Sequence, residues 1–287
     1  MIYSVVDELG SISIHAHRPV PWWSFTKTVL ATIAMRLCDN GKLNLDSKLP
    51  EKPFTYRQLL QHTSGLNDYS FLSEYHQAVA ENKPSWSVDT LMNKVKVDDL
   101  RFEPGCGWCY SNVGYLLLRL EVERIYDMTL SEIITAFLVK ELSLTSVSLV
   151  EDLAAFNALQ VGPKDYDPNW CYHGLLAGNL EDAALFLHYL MNGNLVSQNA
   201  LIEMQKLYKL NVDVGERPWT SPAVGLGLMC NQDAILDTVG HTGMGPGSVI
   251  AVHHFKLQKP KTVAVFKQCQ DQGVVENKAV ILARAGS

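Results

Sequence analysis

Ser24-Phe25-Thr26-Lys27 sets a hydroxyl and an amine three residues apart at the start of a predicted helix running to about Asp39. Residues at i and i+3 share a helix face, so the two groups can meet. A nearby cation stabilises an alkoxide, and the positive end of the helix dipole adds to this. That is one way to make a serine nucleophilic without histidine. In a chain of this length, average composition supplies about one such tetrapeptide by chance, so its partners must decide its meaning.

Three later stretches carry groups that could meet it. Leu59-Leu60-Gln61-His62-Thr63-Ser64-Gly65-Leu66 comes first, then Tyr110-Ser111-Asn112 after Glu103-Pro104-Gly105, then Gly240-His241-Thr242-Gly243. Tyr110 precedes a predicted helix N-terminus, where the dipole and a lysine both favour a phenolate. Lys27 is expected to keep its charge beside Ser24 and Tyr110, favouring deprotonation of either. Asn112 offers a donor and an acceptor, suited to a substrate amide or to holding Lys27. His241-Thr242-Gly243 reads as an exposed strand edge whose glycine lets a substrate backbone approach.

Other chemistry-bearing residues fit less well. Ser64 lacks the G-x-S-x-G elbow, and His62 to Gly65 reads as a structural turn. Gly243, Gly245 and Gly247 precede a strand-like run without G-K-[ST], which disfavours a phosphate loop. Cys106 and Cys109 have C-x-x-C spacing but neither a thioredoxin-like context nor a second pair, so they read as two free thiols, with a disulfide between them as the alternative. His15, His17, His253 and His254 lack an H-E-x-x-H frame, so no metal or organic cofactor is expected.

The elements that must position these groups divide by texture. Ile2–Val6 and Ser11–His15 read as a hairpin. The helix after Ser24 has an apolar face at Leu30, Ile33, Ala34 and Leu37 and closes at Asn40-Gly41. Capping boxes are predicted at Thr55 with Gln58, Thr129 with Glu132 and Asn179 with Asp182. Ser87, and Ser111 or Asn112, are candidate caps, and a later helix carries Leu201, Met204 and Tyr208 on one face. Strands are predicted at 223–230, 234–239, 248–255 and 262–267, followed by a closing helix over 274–284. An α+β fold is expected: an antiparallel sheet from both termini (1–45 and 175–287) with flanking helices, and a mostly helical insertion (46–174). The site would lie in the cleft between them.

Apolar residues make up 47% of the 287-residue chain and charged residues 19%, the composition of a folded protein with ample core. The net charge of -6 and the lack of a basic cluster argue against nucleic acid as a partner. No apolar run is long enough for a membrane span, and the first ten residues do not read as a secretory signal, so a cytoplasmic location is the default expectation, with a periplasmic or secreted one if this is a mature form. Oligomeric state is left open.

Together, and in this order, the four stretches resemble the serine β-lactamase and penicillin-binding protein superfamily, most of all its class C β-lactamase, D-alanyl carboxypeptidase and esterase branch. The likeness runs from about Trp22 to Phe266. It implies Ser24 as acylated nucleophile, with Lys27 and with Tyr110 as general base and acid. Asn112, His241, Thr242 and Gly243 would bind substrate, and the backbone N–H groups of Ser24 and Met244 would form the oxyanion hole. Most β-lactamases of the superfamily have lysine where His241 stands, whereas carboxypeptidases and esterases of this branch also use histidine. The resemblance implies a serine hydrolase acting on a small ester, a β-lactam or a D-amino-acid amide. A peptidase of the same superfamily, or a binding protein that kept the fold, is the alternative. Only 23 residues precede Ser24, so trimmed N-terminal strands and one open cleft wall are expected. Trp22, Trp23, Trp108, Trp170 and Tyr172 are candidates for an aromatic cleft suited to an apolar group.

Overall fold

The computed structural model describes residues 1–285. Among these residues, eight strands form one antiparallel sheet in the order β2-β1-β11-β10-β9-β8-β7-β6. The N-terminal hairpin is β1 (Ile2–Val6) and β2 (Ile12–Ile14). The C-terminal part supplies β6 (Tyr208–Lys209), β7 (Pro222–Val224), β8 (Met229–Asn231), β9 (Thr238–Gly245), β10 (Ser248–Phe255) and β11 (Lys261–Lys267). A three-stranded sheet joins β3 (Val20–Pro21), β5 (Leu176–Gly178) and β4 (Ser148–Leu149).

Every residue of β10 is buried, because both faces of the large sheet are covered. The two-residue period sorts its side chains. Val249, Ala251 and Phe255 pack with Val263, Val265 and the helix α10 (Gln272–Arg284) through Val275 and Ala279. Ile250 and Val252 belong instead to the larger core, with α1 (Thr26–Asp39) and α8 (Leu180–Met191).

Between α1 and α8 the chain is mainly helical: α2 (Tyr56–Leu60), α3 (Ser73–Ala80), α4 (Val88–Val95), α5 (Asn112–Tyr126), α6 (Leu130–Ile134) and α7 (Leu153–Ala158). α9 (Gln198–Met204) follows α8. Both predicted capping boxes before α2 and α6 form, and Ser87 and Ser111 cap α4 and α5.

Several expectations are corrected. Residues 223–230 are two strands, because Gly225 to Gly227 turn away: Leu226 N bonds Met204 O, and a Cβ on Gly227 would lie 2.2 Å from that of Ala31. Residues 234–237 are a turn gathered by Asp233, so β9 starts later and itself contains His241-Thr242-Gly243. Asn179 makes no capping bond, because Asp182 instead accepts from the Ser146 backbone and hydroxyl. Tyr208 lies in β6, beyond the end of α9.

Candidate active site

The nucleophile turn is anchored by its tryptophans. Trp22 N donates to Leu176 O at 2.7 Å and its indole to Gly178 O at 3.2 Å. The Trp23 indole donates to Ser248 Oγ at 3.0 Å, and Trp23 adopts φ of 44°. Residues Trp23–Phe25 form a single tight turn, so Ser24 stands just ahead of α1 and Lys27 lies in its first turn. β9 lies against this turn. A Cβ on Gly243 would come within 2.7 Å of Ser24 N and of Trp22 O. Gly243 therefore admits the nucleophile's own backbone, which corrects the expectation that it makes room for substrate.

Lys27 is fully buried, and its Nζ has three partners: Ser24 Oγ at 3.1 Å, Asn112 Oδ1 at 2.8 Å and His173 Nε2 at 3.2 Å. Burial lowers its pKa to about 7, against the weaker raising influences of Cys171 and Asp68. Burial also pushes the Cys171 thiol up to about 11, so at neutral pH it brings no charge to Lys27. The expectation of a fixed ammonium is thus replaced by an amine poised to lose its proton near neutrality. Tyr110 moves the other way: burial raises its pKa, opposed by a hydrogen bond with Ser24. Its ring centroid lies 5.0 Å from Lys27 Nζ.

Asp68, which sequence reasoning missed, fixes this side of the site. Its carboxylate accepts from the backbone of Asn112 and Val113 at the start of α5, from Ser70 N at 3.0 Å, and from Asn112 Nδ2 at 3.1 Å. Because the amide nitrogen of Asn112 is held by Asp68, its oxygen must face Lys27. His62 supports the neighbouring tyrosine: its Nδ1 accepts from Ser111 N at 3.0 Å and its ring stacks on Tyr110 at 4.4 Å. The turn from His62 is structural, as expected.

His241 is buried behind the cavity, 6.4 Å from Tyr110 between ring centroids, and its Nδ1 bonds the Thr242 carbonyl. Burial, with Lys27 nearby, lowers its pKa to about 3, so it is neutral. Thr242 points to the opposite face of the sheet, where its hydroxyl donates to Glu276 at 2.5 Å. The Glu276 carboxylate is fully buried and held by Arg217 at 2.6 and 2.7 Å.

The cavity at Ser24 has a volume of about 380 Å³ and is lined by Ser24, Tyr110, Asn112, Thr242 and Met244 among the predicted residues. Lys27, His241 and Gly243 lie beneath or behind it. Of the predicted aromatics, Trp23 and Trp170 line it; Trp22 is core, and Trp108 and Tyr172 face other cavities. Tyr69, Tyr75 and Tyr166 complete the aromatic wall instead. No wall comes from the N-terminal strands, which lie on the far side of β11 and β10 from β9.

His173 and Glu276 were also missed. Glu276 had a signal, since it occupies an apolar position of α10 beside Val275 and Ala279. His173 and Asp68 had none, because each meets its site partner far along the chain, Asp68 with Asn112 44 residues on and His173 with Lys27 146 residues back, across several helices. All six thiols are free, and among the described residues no three His, Cys, Asp or Glu side chains gather as metal ligands. No helix among them is long and apolar enough to cross a membrane.

A helix-covered antiparallel sheet with a serine and a buried lysine meeting under a Tyr-Ser-Asn turn defines the class: a β-lactamase-like fold of the serine hydrolase type. The chain belongs to the β-lactamase family, whose model, described as Beta-lactamase, matches residues 4–281. The D-stereospecific amidohydrolase from Streptomyces sp. superposes with a TM-score of 0.81 at 19% identity, covering 100% of this chain and 94% of that one. D-amino acid amidase from Ochrobactrum anthropi SV3 gives 0.78 at 18% identity, covering 93% and 87%. Penicillin-binding protein 4* of Bacillus subtilis (strain 168) is 36% identical over 121 residues, which are 39% of this chain and 26% of that protein. The match thus spans about a quarter of that curated relative.

Proposed function

We propose that this chain hydrolyses a small uncharged ester or amide with an aromatic or apolar acyl group, through an acyl-enzyme on Ser24. The observation that carries the reading is the buried Lys27 amine, its pKa lowered to about 7, lying 3.1 Å from Ser24 Oγ at the floor of an aromatic cavity. A base poised near the working pH is the most effective one.

Neutral Lys27 takes the Ser24 proton as Oγ attacks the substrate carbonyl. The backbone N–H groups of Ser24 and Met244 receive the oxyanion, each donor contributing about 10²–10³ in rate. Tyr110, protonated at rest, hands a proton to the leaving oxygen or nitrogen and regains one from Lys27. Water then attacks the acyl-enzyme with the same groups in reverse. Asn112 holds Lys27, and the β9 backbone at Thr242 and Met244 flanks the substrate.

Substrate charge separates the readings. No Asp, Glu, Lys or Arg lines the cavity among the described residues, and His241 is neutral and recessed. A substrate carboxylate or ammonium would enter without a counter-charge, which is costly in a poorly solvated site. A D-amino-acid amide is the second reading, supported by the shared fold with the D-stereospecific amidohydrolase and the D-amino acid amidase.

The test treats the protein with a fluorophosphonate and compares p-nitrophenyl phenylacetate, D-phenylalanine p-nitroanilide and nitrocefin. The expected result is a mass adduct on the Ser24 peptide and the highest kcat/KM for the ester. Preference for the charged D-amino-acid substrate would replace the first reading with the second. No adduct and no turnover would leave a binding protein on a hydrolase fold.

A further inference from the structure

A neutral lysine amine has two N–H groups and one lone pair, and it can take the Ser24 proton only with the lone pair turned to Oγ. Both N–H groups then need acceptors elsewhere. Two are in reach of Lys27 Nζ: Asn112 Oδ1 at 2.8 Å and His173 Nε2 at 3.2 Å. With either one missing, an idle N–H turns to Ser24 Oγ at 3.1 Å and occupies the place of the lone pair. The other groups around Nζ offer no substitute. The ring centroids of Tyr110 and Tyr115 stand 5.0 and 5.8 Å away. Burial keeps the protons on both phenols and on the Cys171 thiol, and leaves His62 and His241 neutral. The Asp68 carboxylate is occupied by the start of α5 and by Ser70.

His173 suits the task by its place and by its protonation. Gly174, at φ of 91°, turns the chain from His173 into β5. β5 is tied to the nucleophile turn and to α1, because Leu176 O accepts from Trp22 N at 2.7 Å and Leu176 N donates to Thr26 Oγ1 at 3.2 Å. The imidazole and the lysine therefore hang from one hydrogen-bonded frame. Burial, with Lys27 close by, holds the His173 ring well below its ordinary pKa, so it is neutral. A lysine ammonium has no lone pair, so Nε2 facing it must accept, and the ring proton belongs on Nδ1. Nδ1 closes no hydrogen bond, but the Trp23 backbone favours a proton on the ring, and Nε2 is already turned to Lys27.

We propose that His173 is a positioning residue for acyl transfer: its Nε2 accepts one N–H of the Lys27 amine, Asn112 accepts the other, and the lone pair is left facing Ser24 Oγ. This role rests on the reading of Ser24 as the acylated nucleophile with Lys27 as its base. In the step itself the Oγ–H bond breaks, its electron pair goes to the substrate carbonyl carbon, and the proton joins the Lys27 lone pair. The new ammonium then has three N–H groups and three acceptors, Ser24 Oγ, Asn112 Oδ1 and His173 Nε2, with no change of partner. A hydrogen bond from a charged donor is stronger than one from a neutral donor, so His173 also favours the ammonium and helps to set the pH at which Lys27 becomes a base.

The experiment is the pH profile of kcat and kcat/KM for p-nitrophenyl phenylacetate in the full chain and in His173→Gln, His173→Asn and His173→Phe. Glutamine carries an acceptor as far from its Cα as Nε2, whereas asparagine reaches only as far as Nδ1. The Asn and Phe variants should lose about tenfold in kcat even at about pH 9, where Lys27 is neutral in every variant. Their rising limb should move about one pH unit below its wild-type position near 7. Gln should keep both rate and limb close to wild type. Should the Phe variant fail to fold, Gln against Asn, two amides of like polarity, carries the comparison. A residue that only fills space would leave the limb in place and make Gln no better than Asn, and that result would overturn the proposal. Imidazole ¹⁵N shifts placing the His173 proton on Nε2 would overturn it as well. A wild type with neither turnover nor a fluorophosphonate adduct would remove the acyl-transfer reading and this role with it; an active wild type whose variants keep its limb would remove this role alone.

Discussion

Lys27 is the residue on which the chemistry turns, and its burial sets its role. A lysine lowered to about 7 is half amine at neutral pH, so it can take a proton and not merely supply a field. If it is the base, kcat/KM for a neutral ester rises with pH through about 7. Lys27→Arg keeps a cation that cannot lose its proton, and should cost about 10²–10⁴ in kcat. A Lys27→Arg enzyme with near-normal kcat would mean the charge alone matters. The same shift predicts a stability effect. Between pH 7 and 10.5 the unfolded chain holds this proton and the folded one does not, so wild-type stability gains as pH rises across that window. Below pH 7 the buried ammonium is a burden. Lys27→Met should therefore be more stable than wild type at pH 6, on the order of 2 kcal/mol, with the advantage shrinking toward pH 10. Urea denaturation at both pH values measures this, and an advantage independent of pH would contradict the assignment.

At the scale of elements, the contact of β9 with the nucleophile turn makes the site. Gly243 tests it: a Cβ there would sit 2.7 Å from two backbone atoms, at Ser24 and Trp22. Backbone cannot rotate aside as a side chain can, so Gly243→Ala must move the turn that carries Ser24. Overpacking of this kind costs about 1–3 kcal/mol, and a displacement of about 1 Å at a reacting group costs about 10² in rate. Gly215→Ala, with open space around it, should lose only a little stability to its φ of 60° and leave the rate unchanged. Matching rate losses in both variants would mean that the contact is not special. The same element shows what the sequence could and could not disclose. Ser24 to Lys27, the caps before α2, α5 and α6, and the strands β10 and β11 were legible, because each rests on local spacing. The span of β9 was misjudged because Ala234-Ile235-Leu236 looks strand-like, while Asp233 gathers it into a turn. Gly243 read as a gap for substrate because nothing local reveals that the N-terminal turn fills it. Asp68 and His173 reach the site only through tertiary packing, beyond the reach of periodicity and caps.

At the scale of the whole molecule, four histidines buried around β9 couple the site to stability in acid. His62, His173 and His241 lie on the Lys27 side of the strand and His253 on the other, each no more than 4% exposed. Burial is the first cause of the lowered pKa at every one of them, and nearby cationic or imidazole groups add to it. In the unfolded chain each titrates near 6.5. Below that pH the unfolded state binds protons the folded state refuses, so stability falls as pH falls, by about 1.4 kcal/mol per unit for each such group. The loss continues until pH reaches the folded value, about 3 for His241 and His253. Four groups acting together lose several kcal/mol between pH 6.5 and 5, against a typical total of about 5–15 kcal/mol. Above 6.5 their contribution is constant. The urea midpoint should therefore be nearly flat from about pH 7 to 6.5, apart from a small loss as Lys27 takes up its proton, then drop steeply, with acid unfolding near pH 5. Because the histidines lie on both sides of β9, charging them drives β9 away from both covering layers, and the activity that remains once Lys27 is protonated should vanish with the fold. A midpoint unchanged down to pH 4 would show that these rings have found compensating partners and would remove the link between site and stability.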